Sequence, residues 1–169
     1  MALVIEDGTI VAGANSFVTR AEIIAYAQSR GKVLADEEAT DVYAILAMDY
    51  LWTLCFKGDL VSPTQTTPYP RMGLVDGDTD PDYVHTIPDG IKNAQLQLSL
   101  DSANGITLTA STNPTGEIKR RKVGPIEREY FPGGSGTLDG SPPLTVATSW
   151  LVPFLCDGGG AFTLKTVRV

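Results

Sequence analysis

The most apolar stretch of the chain predicts a helix with little polar surface. Residues 42–56 are apolar at nearly every position, so a helix here would be apolar on almost all of its faces. Such a helix has to be covered all round, which suggests a central helix or one that also meets a neighbouring subunit. Asp36, followed by Glu37 and Glu38, predicts the cap at its N-terminus.

Capping residues and Pro88 predict two more helices. Thr19 and Glu22 form a capping box before a first helix over residues 20–30, with Gly31 as its C-terminal stop. A third helix starts at Pro88, ends near residues 103–105, and has apolar positions at Ile91, Ala94 and Leu98.

A fourth amphipathic helix is predicted close to the C-terminus, ended or kinked near Pro153. Its apolar positions are Leu144, Ala147, Trp150, Leu151 and Phe154.

Other segments are predicted to be extended or irregular. The first fifteen residues read as extended, with a hairpin turn at Asp7-Gly8 between residues 3–6 and 9–11. Residues 57–86 hold many Gly, Pro and Asp residues without a periodic pattern, which indicates a long loop. Residues 161–169 alternate as a strand without an obvious partner in the chain, and another protein could complete such an edge.

Residues 117–131 predict a β-hairpin that turns at Gly124-Pro125. This register sets Lys122 opposite Glu127 and Arg120 opposite Glu129, both favourable pairs, and Arg121 opposite Arg128, which is unfavourable.

The expected fold is therefore mainly α, a small four-helix bundle with a β-hairpin insertion and extended N- and C-terminal arms. We assign residues 1–169 to one domain, in which the bundle takes 16–103 and 142–156, the hairpin 117–131, and the C-terminal arm 157–169.

Composition narrows the possible functions. The chain has 169 residues, of which 43% are hydrophobic and 20% charged, as in folded globular proteins. Its net charge of −7 argues against a general nucleic-acid binder. We find neither an apolar run long enough for a membrane span nor a signal peptide. Cys55 and Cys156 lie in apolar segments and are interpreted as buried thiols in a reducing cytoplasm.

The sequence presents no convincing catalytic or metal-binding constellation. His85 is interpreted as a surface side chain, and Ser135 misses the nucleophile-elbow pattern. The alternating acids Asp76, Asp78, Asp80 and Asp82 fail the calcium-loop pattern, because its sixth and twelfth positions hold Pro81 and Ile87. We therefore expect a protein that is not an enzyme and that uses no cofactor.

One basic cluster has two interpretations. It could contact DNA phosphates, or it could belong to a charged hairpin whose alternation divides the basic residues between both faces. Its members are Lys119, Arg120, Arg121, Lys122 and Arg128.

A set of motifs in a fixed order resembles a family of tailed-bacteriophage head–tail adaptors that is also described as DnaT-like. The motifs are Leu3–Gly8, Gly13–Val18, Ala47–Leu51, Tyr69–Gly73, Ile87-Pro88 and Lys119–Glu127. Two aromatic positions depart from the family. The family usually has Trp where this chain has Tyr69, and it usually has Trp in the segment where this chain has Phe, Phe56-Lys57-Gly58.

The resemblance implies a virion subunit at the head–tail junction, made in the host cytoplasm. Twelve copies would form a ring below the portal protein, pass double-stranded DNA without reading its sequence, and receive the next neck or tail protein. An ion pair of Asp49 with Arg71 is predicted, since each charge otherwise lies near apolar neighbours. The C-terminal arm would dock on the portal through Phe162, Leu164, Lys165 and Val167.

Two other functions are compatible with the sequence. A single-stranded DNA-binding protein would stack bases on exposed aromatics in a basic groove. A tail-completion or stopper protein would be richer in strand.

Overall fold

The computed structural model describes residues 2–73, 84–108, 120–123, 126–129 and 145–156. The chain is mainly helical and carries a small antiparallel hairpin, as the sequence predicts. The helices are α1 (Arg20–Gln28), α2 (Glu38–Trp52), α3 (Asp89–Ala103) and α4 (Thr145–Leu151), the last followed by a 3₁₀ turn, Val152–Phe154. The strands are β1 (Asp59–Leu60), β2 (Arg71–Met72), β3 (Arg120–Val123) and β4 (Ile126–Glu129).

The chain divides into two compact units. A helical unit comprises residues 1–108 and 142–169, and a hairpin unit comprises residues 109–141. Strands β1 and β2 pair in the first, and β3 and β4 in the second.

Helix α3 contacts each of the other three helices. The apolar positions predicted for it, Ile91, Ala94 and Leu98, are all fully buried. Pro88 immediately precedes its first residue, as expected for a residue that lacks an N–H to donate. At its first turn Gly90 leaves room for the end of α4 and the 3₁₀ turn after it, because a Cβ there would lie 2.6 Å from the ring of Phe154 and 3.1 Å from the carbonyl oxygen of Trp150.

Helix α1 begins as predicted and ends at Gln28, two residues before the predicted end, with Gly31 as the stop. The capping box of Thr19 and Glu22 is present in both directions. At the other end, the N–H of Lys32 donates to the carbonyl of Ala27 and that of Gly31 to Gln28, the paired bonds of a Schellman motif. Gly31 has the positive φ, 73°, that this motif requires.

The predicted cap of α2 is wrong. Glu37 occupies the N-cap position without a side-chain capping bond, and Asp36 instead accepts a hydrogen bond from Arg20 at 3.2 Å. Because Asp36 points its carboxylate at a cation on α1, it is not available to the α2 amides.

The predicted N-terminal hairpin is also wrong. Ile5 instead forms an isolated parallel bridge with Ser16. The carboxylate of Glu6 is buried and accepts hydrogen bonds from the backbone N–H groups of Gly8, Ile10 and Val11, at 2.8 to 2.9 Å. These bonds curl the segment around one side chain, which leaves the backbone groups unable to form a ladder.

The cysteine prediction is corrected by a disulfide between Cys55 and Cys156, whose Cα atoms are 5.6 Å apart. Phe56 and Leu155 form an antiparallel bridge beside it. The disulfide therefore joins the segment after α2 to the segment after α4.

The hairpin unit has the predicted register. Arg120 lies opposite Glu129, Lys122 opposite Glu127, and Arg121 opposite Arg128. The turn residues Gly124 and Pro125 lie outside the described residues. In the described part of the chain, no helix is long and apolar enough to cross a membrane.

Candidate interaction surfaces

One side of α2 carries apolar side chains that solvent reaches. Val42 and Leu46, one turn apart, are 46% and 42% exposed. Asp49, three residues further on, is exposed on the same side. We call Val42, Leu46 and Asp49 the α2 face. The opposite side of the helix is buried in the core through Ala44, Ala47, Met48 and Leu51.

The predicted ion pair of Asp49 with Arg71 is not formed. The guanidinium of Arg71 instead donates to the backbone carbonyls of Phe56, Lys57, Gly58 and Pro68, at 2.6 to 3.3 Å. Burial lowers the pKa of Arg71 from its ordinary value. Four carbonyl dipoles thus replace the carboxylate that the sequence suggested as its partner.

This arginine organises a segment that the sequence predicted as an irregular loop. Strand β2, which contains Arg71, pairs antiparallel with β1. The amide of Gln65 donates to the carbonyls of Thr67 and Pro70. Tyr69 is fully buried, with its ring edge-on to those of Phe56 and Phe154. Residues 57–73 are therefore a packed structural element, and this part of the loop prediction is corrected.

A groove of about 410 Å³ lies between the N-terminal segment and the starts of α1 and α2. Arg20 and Asp41, on its wall, form a two-bonded ion pair with distances of 2.7 and 2.6 Å. Hydrogen bonds from Arg20 lower the pKa of Asp41, and those to Asp41 and Asp36 raise the pKa of Arg20. Because its carboxylates already satisfy this cation, the groove offers little charge to a ligand.

Charge is unevenly divided between the two units. The described part of the helical unit holds eleven acidic and six basic residues. The described strands of the hairpin unit hold Arg120, Arg121, Lys122 and Arg128 against Glu127 and Glu129. Lys119, the fifth member of the basic cluster, lies outside the described residues.

The remaining candidates show no assembled site. His85 is exposed. Among the described residues, no group of three or more His, Cys, Asp or Glu side chains could hold a metal ion. Outside the described residues lie Ser135, the acidic series at Asp76, Asp78, Asp80 and Asp82, and the C-terminal arm with Phe162, Leu164, Lys165 and Val167.

Sequence reasoning missed a fully buried polar side chain that connects three parts of the core. Gln95 is fully buried, accepts a hydrogen bond from the Phe17 N–H, and donates to Ser16 Oγ and the Ala44 carbonyl. The helical spacing of the sequence already places Gln95 at a core position, because it lies one turn after Ile91 on the apolar side of α3. A polar residue at a core position indicates a buried hydrogen-bond network.

Comparison with known proteins supplies one match. The family model described as "Putative DnaT-like ssDNA binding protein" matches residues 1–169. The chain belongs to this DnaT-like family. No curated protein and no solved structure matches it. The match confirms the DnaT-like part of the resemblance, and the description of the family does not mention head–tail adaptors.

Several residues of the motifs on which the resemblance rests have structural roles in the fold. Phe17 and Val18 are buried ahead of α1, and Ala47 and Met48 are buried in α2. Arg71 holds the 57–73 element. Of these motif residues, Phe17, Val18, Ala47 and Met48 belong to the core, and Arg71 is half-buried beside it.

Proposed function

We propose that this DnaT-like protein is a structural head–tail adaptor of a tailed-bacteriophage particle and not an enzyme. In this proposal a four-helix bundle is the repeating unit of a ring, of twelve copies by resemblance, between the portal and the neck. The observation that carries it is the α2 face, where Val42 and Leu46 remain exposed on a helix whose other side is core.

An exposed apolar row is what a subunit interface needs. Burying apolar surface stabilises association by roughly 25 cal/mol per Å². Val42 and Leu46 stand one helical turn apart, so one element of a neighbouring copy can cover both. In a ring the α2 face of each copy would contact the neighbouring copy. That contact would bury the apolar side chains of α2 that remain exposed in the single chain.

The charge balance suits a channel that DNA passes through. Clustered lysines and arginines bind DNA because they displace counterions from its phosphates. Acidic residues outnumber basic ones in the described helical unit. A ring of such units would leave the genome free to move.

The C-terminal arm is proposed as the contact with the portal. Its alternating residues, including Phe162, Leu164, Lys165 and Val167, suit addition of a strand to an exposed sheet edge. A truncation after Asp157 should abolish binding to the portal while the helical unit stays folded.

The family description favours a second candidate, a single-stranded DNA-binding protein. Such proteins combine a basic groove with aromatic rings that stack on bases. The basic hairpin could supply the first requirement. The aromatic requirement is met in part, because Phe56 and Tyr69 are buried whereas Trp52 and Trp150 are 41% and 43% exposed.

Parallel binding assays separate the two candidates. We expect the protein to co-sediment with the cognate portal ring and to leave an unstructured oligonucleotide unshifted in a gel at moderate salt. A shifted oligonucleotide without co-sedimentation would reject the adaptor proposal in favour of the DNA-binding one.

A further inference from the structure

The disulfide between Cys55 and Cys156 lies where solvent reaches it. Cys55 is exposed and Cys156 is half-buried, so neither has the burial that the sequence suggested for it. Exposed disulfides exchange readily with other thiols, because an attacking sulfur has to approach the bond directly. Of the two residues, Cys55 is the more accessible to such an attack.

The backbone holds the two cysteines opposite each other without help from the sulfur atoms. Phe56 and Leu155 form an antiparallel bridge, and Cys55 and Cys156 lie one position beyond it. The N–H of Cys156 donates to the carbonyl of Cys55 at 2.9 Å. The Cα atoms of the cysteines are 5.6 Å apart, within the range of about 4.4–6.8 Å that a disulfide spans.

Aromatic packing holds the same two segments together. The ring of Tyr69 lies edge-on to those of Phe56 and Phe154, with centroids 5.4 and 6.3 Å away. The N–H of Lys57 also donates to the carbonyl of Phe154 at 2.9 Å. None of these contacts involves sulfur, so the two thiols should stay within reach of each other in the reduced protein.

We propose that Cys55 is a site of thiol–disulfide exchange with small-molecule disulfides and that Cys156 is its resolving partner. The thiolate of Cys55 attacks one sulfur of the small disulfide, whose S–S bond breaks, so that a mixed disulfide forms and one small thiol is released. The thiolate of Cys156 then attacks the sulfur of Cys55, which forms the Cys55–Cys156 bond and releases the second small thiol.

This exchange balances as a two-electron transfer. The two cysteines are oxidised, the small disulfide is reduced, and the protons that the cysteines lose end on the two released thiols. Excess small thiol drives the same steps in reverse. The exchange requires neither portal nor DNA, so it does not depend on the proposed function.

Two matched variants test the assignment of roles. Cys156→Ser leaves only the Cys55 thiol, and Cys55→Ser leaves only the Cys156 thiol. Each reduced variant is treated with hydroxyethyl disulfide, an uncharged probe whose reaction depends little on neighbouring charges, and the mixed disulfide is followed by mass spectrometry. The same reactions in urea, where the fold no longer shields either thiol, provide the control.

We expect Cys55 to react about tenfold faster than Cys156 in the folded variants, and the two rates to agree within about twofold in urea. Equal rates in the folded variants, or a faster Cys156, would overturn the proposal.

Wild-type protein provides a test that does not depend on either variant folding. Reduced wild type treated with the same probe should form the Cys55–Cys156 disulfide with little accumulated mixed disulfide, and dithiothreitol should reduce that disulfide without denaturant. A mixed disulfide that persists on wild type, or a disulfide that is reduced only in urea, would overturn the proposal as well.

Discussion

The side-chain oxygen of Gln95 accepts a hydrogen bond from the backbone N–H of Phe17 at 2.8 Å, across 78 residues of sequence. The amide nitrogen of Gln95 donates to Ser16 Oγ and to the carbonyl of Ala44. One side chain of α3 therefore satisfies polar groups before α1 and inside α2. Because Gln95 is fully buried, water cannot replace these bonds.

Gln95→Leu should lower the free energy of unfolding by about 2–4 kcal/mol, because it leaves buried donors and acceptors without partners. Gln97→Leu is the matched control on the same helix. Gln97 is only partly buried and bonds the Tyr26 hydroxyl and Asp101, so its loss should cost less than about 1.5 kcal/mol. Urea denaturation measures both, and equal effects would contradict the proposed importance of the buried network.

Gly8→Ala should destabilise the protein much more than Gly13→Ala. Both glycines have positive φ, but a Cβ on Gly8 would lie 2.1 Å from the carbonyl oxygen of His85, whereas one on Gly13 meets nothing within 4 Å. We expect a loss of about 3 kcal/mol for the first and about 1 kcal/mol for the second, from thermal melting. Equal losses would show that Gly8 does not pack on the His85 backbone.

The Arg20–Asp41 pair should make the free energy of unfolding depend on pH in the acidic range. Hydrogen bonds from Arg20 lower the pKa of Asp41 in the folded protein. The ionised carboxylate therefore stabilises the fold at pH values above its unfolded-state pKa of about 3.9. This contribution is lost as the pH falls through the lower folded-state pKa. Asp41→Asn should reduce stability at neutral pH by about 1–2 kcal/mol and flatten the loss below pH ~4.

Asp36→Asn is the control for this pair. The Asp36 side chain is 80% exposed, so its bond to Arg20 should contribute almost nothing. Stability is measured by denaturation between acid and neutral pH. An Asp41→Asn protein that keeps the wild-type acid dependence would assign that dependence to other groups.

Removing the disulfide should lower stability without changing the fold. Cys55 and Cys156 are 101 residues apart, and closing a loop of ~100 residues is worth up to about 4 kcal/mol. We expect reductant to lower the melting temperature of wild type and to leave the variant carrying both Cys55→Ser and Cys156→Ser unaffected. Two free thiols in the denatured, non-reduced protein would refute the disulfide.

Local chemistry made several elements predictable from the sequence. The Thr19–Glu22 capping box, Gly31 and Pro88 mark helix ends through contacts within a few residues, and the hairpin register followed from opposite charges facing each other. These features depend on residues that lie close together in the sequence.

Long-range partners could not be predicted in this way. Asp36 fails as a cap because Arg20 binds it, and Arg71 finds carbonyls in place of Asp49. The 57–73 element has no periodicity because the half-buried Arg71 and the buried Tyr69 hold it together. For the candidate site, the apolar excess of α2 was visible in the sequence, but only the fold separates the exposed Val42 and Leu46 from the buried positions.

Mass photometry of the purified wild-type protein, alone and mixed with the cognate portal ring, tests the adaptor proposal most directly. We expect the mass of the portal complex to rise by many copies of this chain, up to about twelve if the resemblance holds. A portal mass that does not change, with the protein monomeric and bound to single-stranded DNA, would contradict the adaptor function.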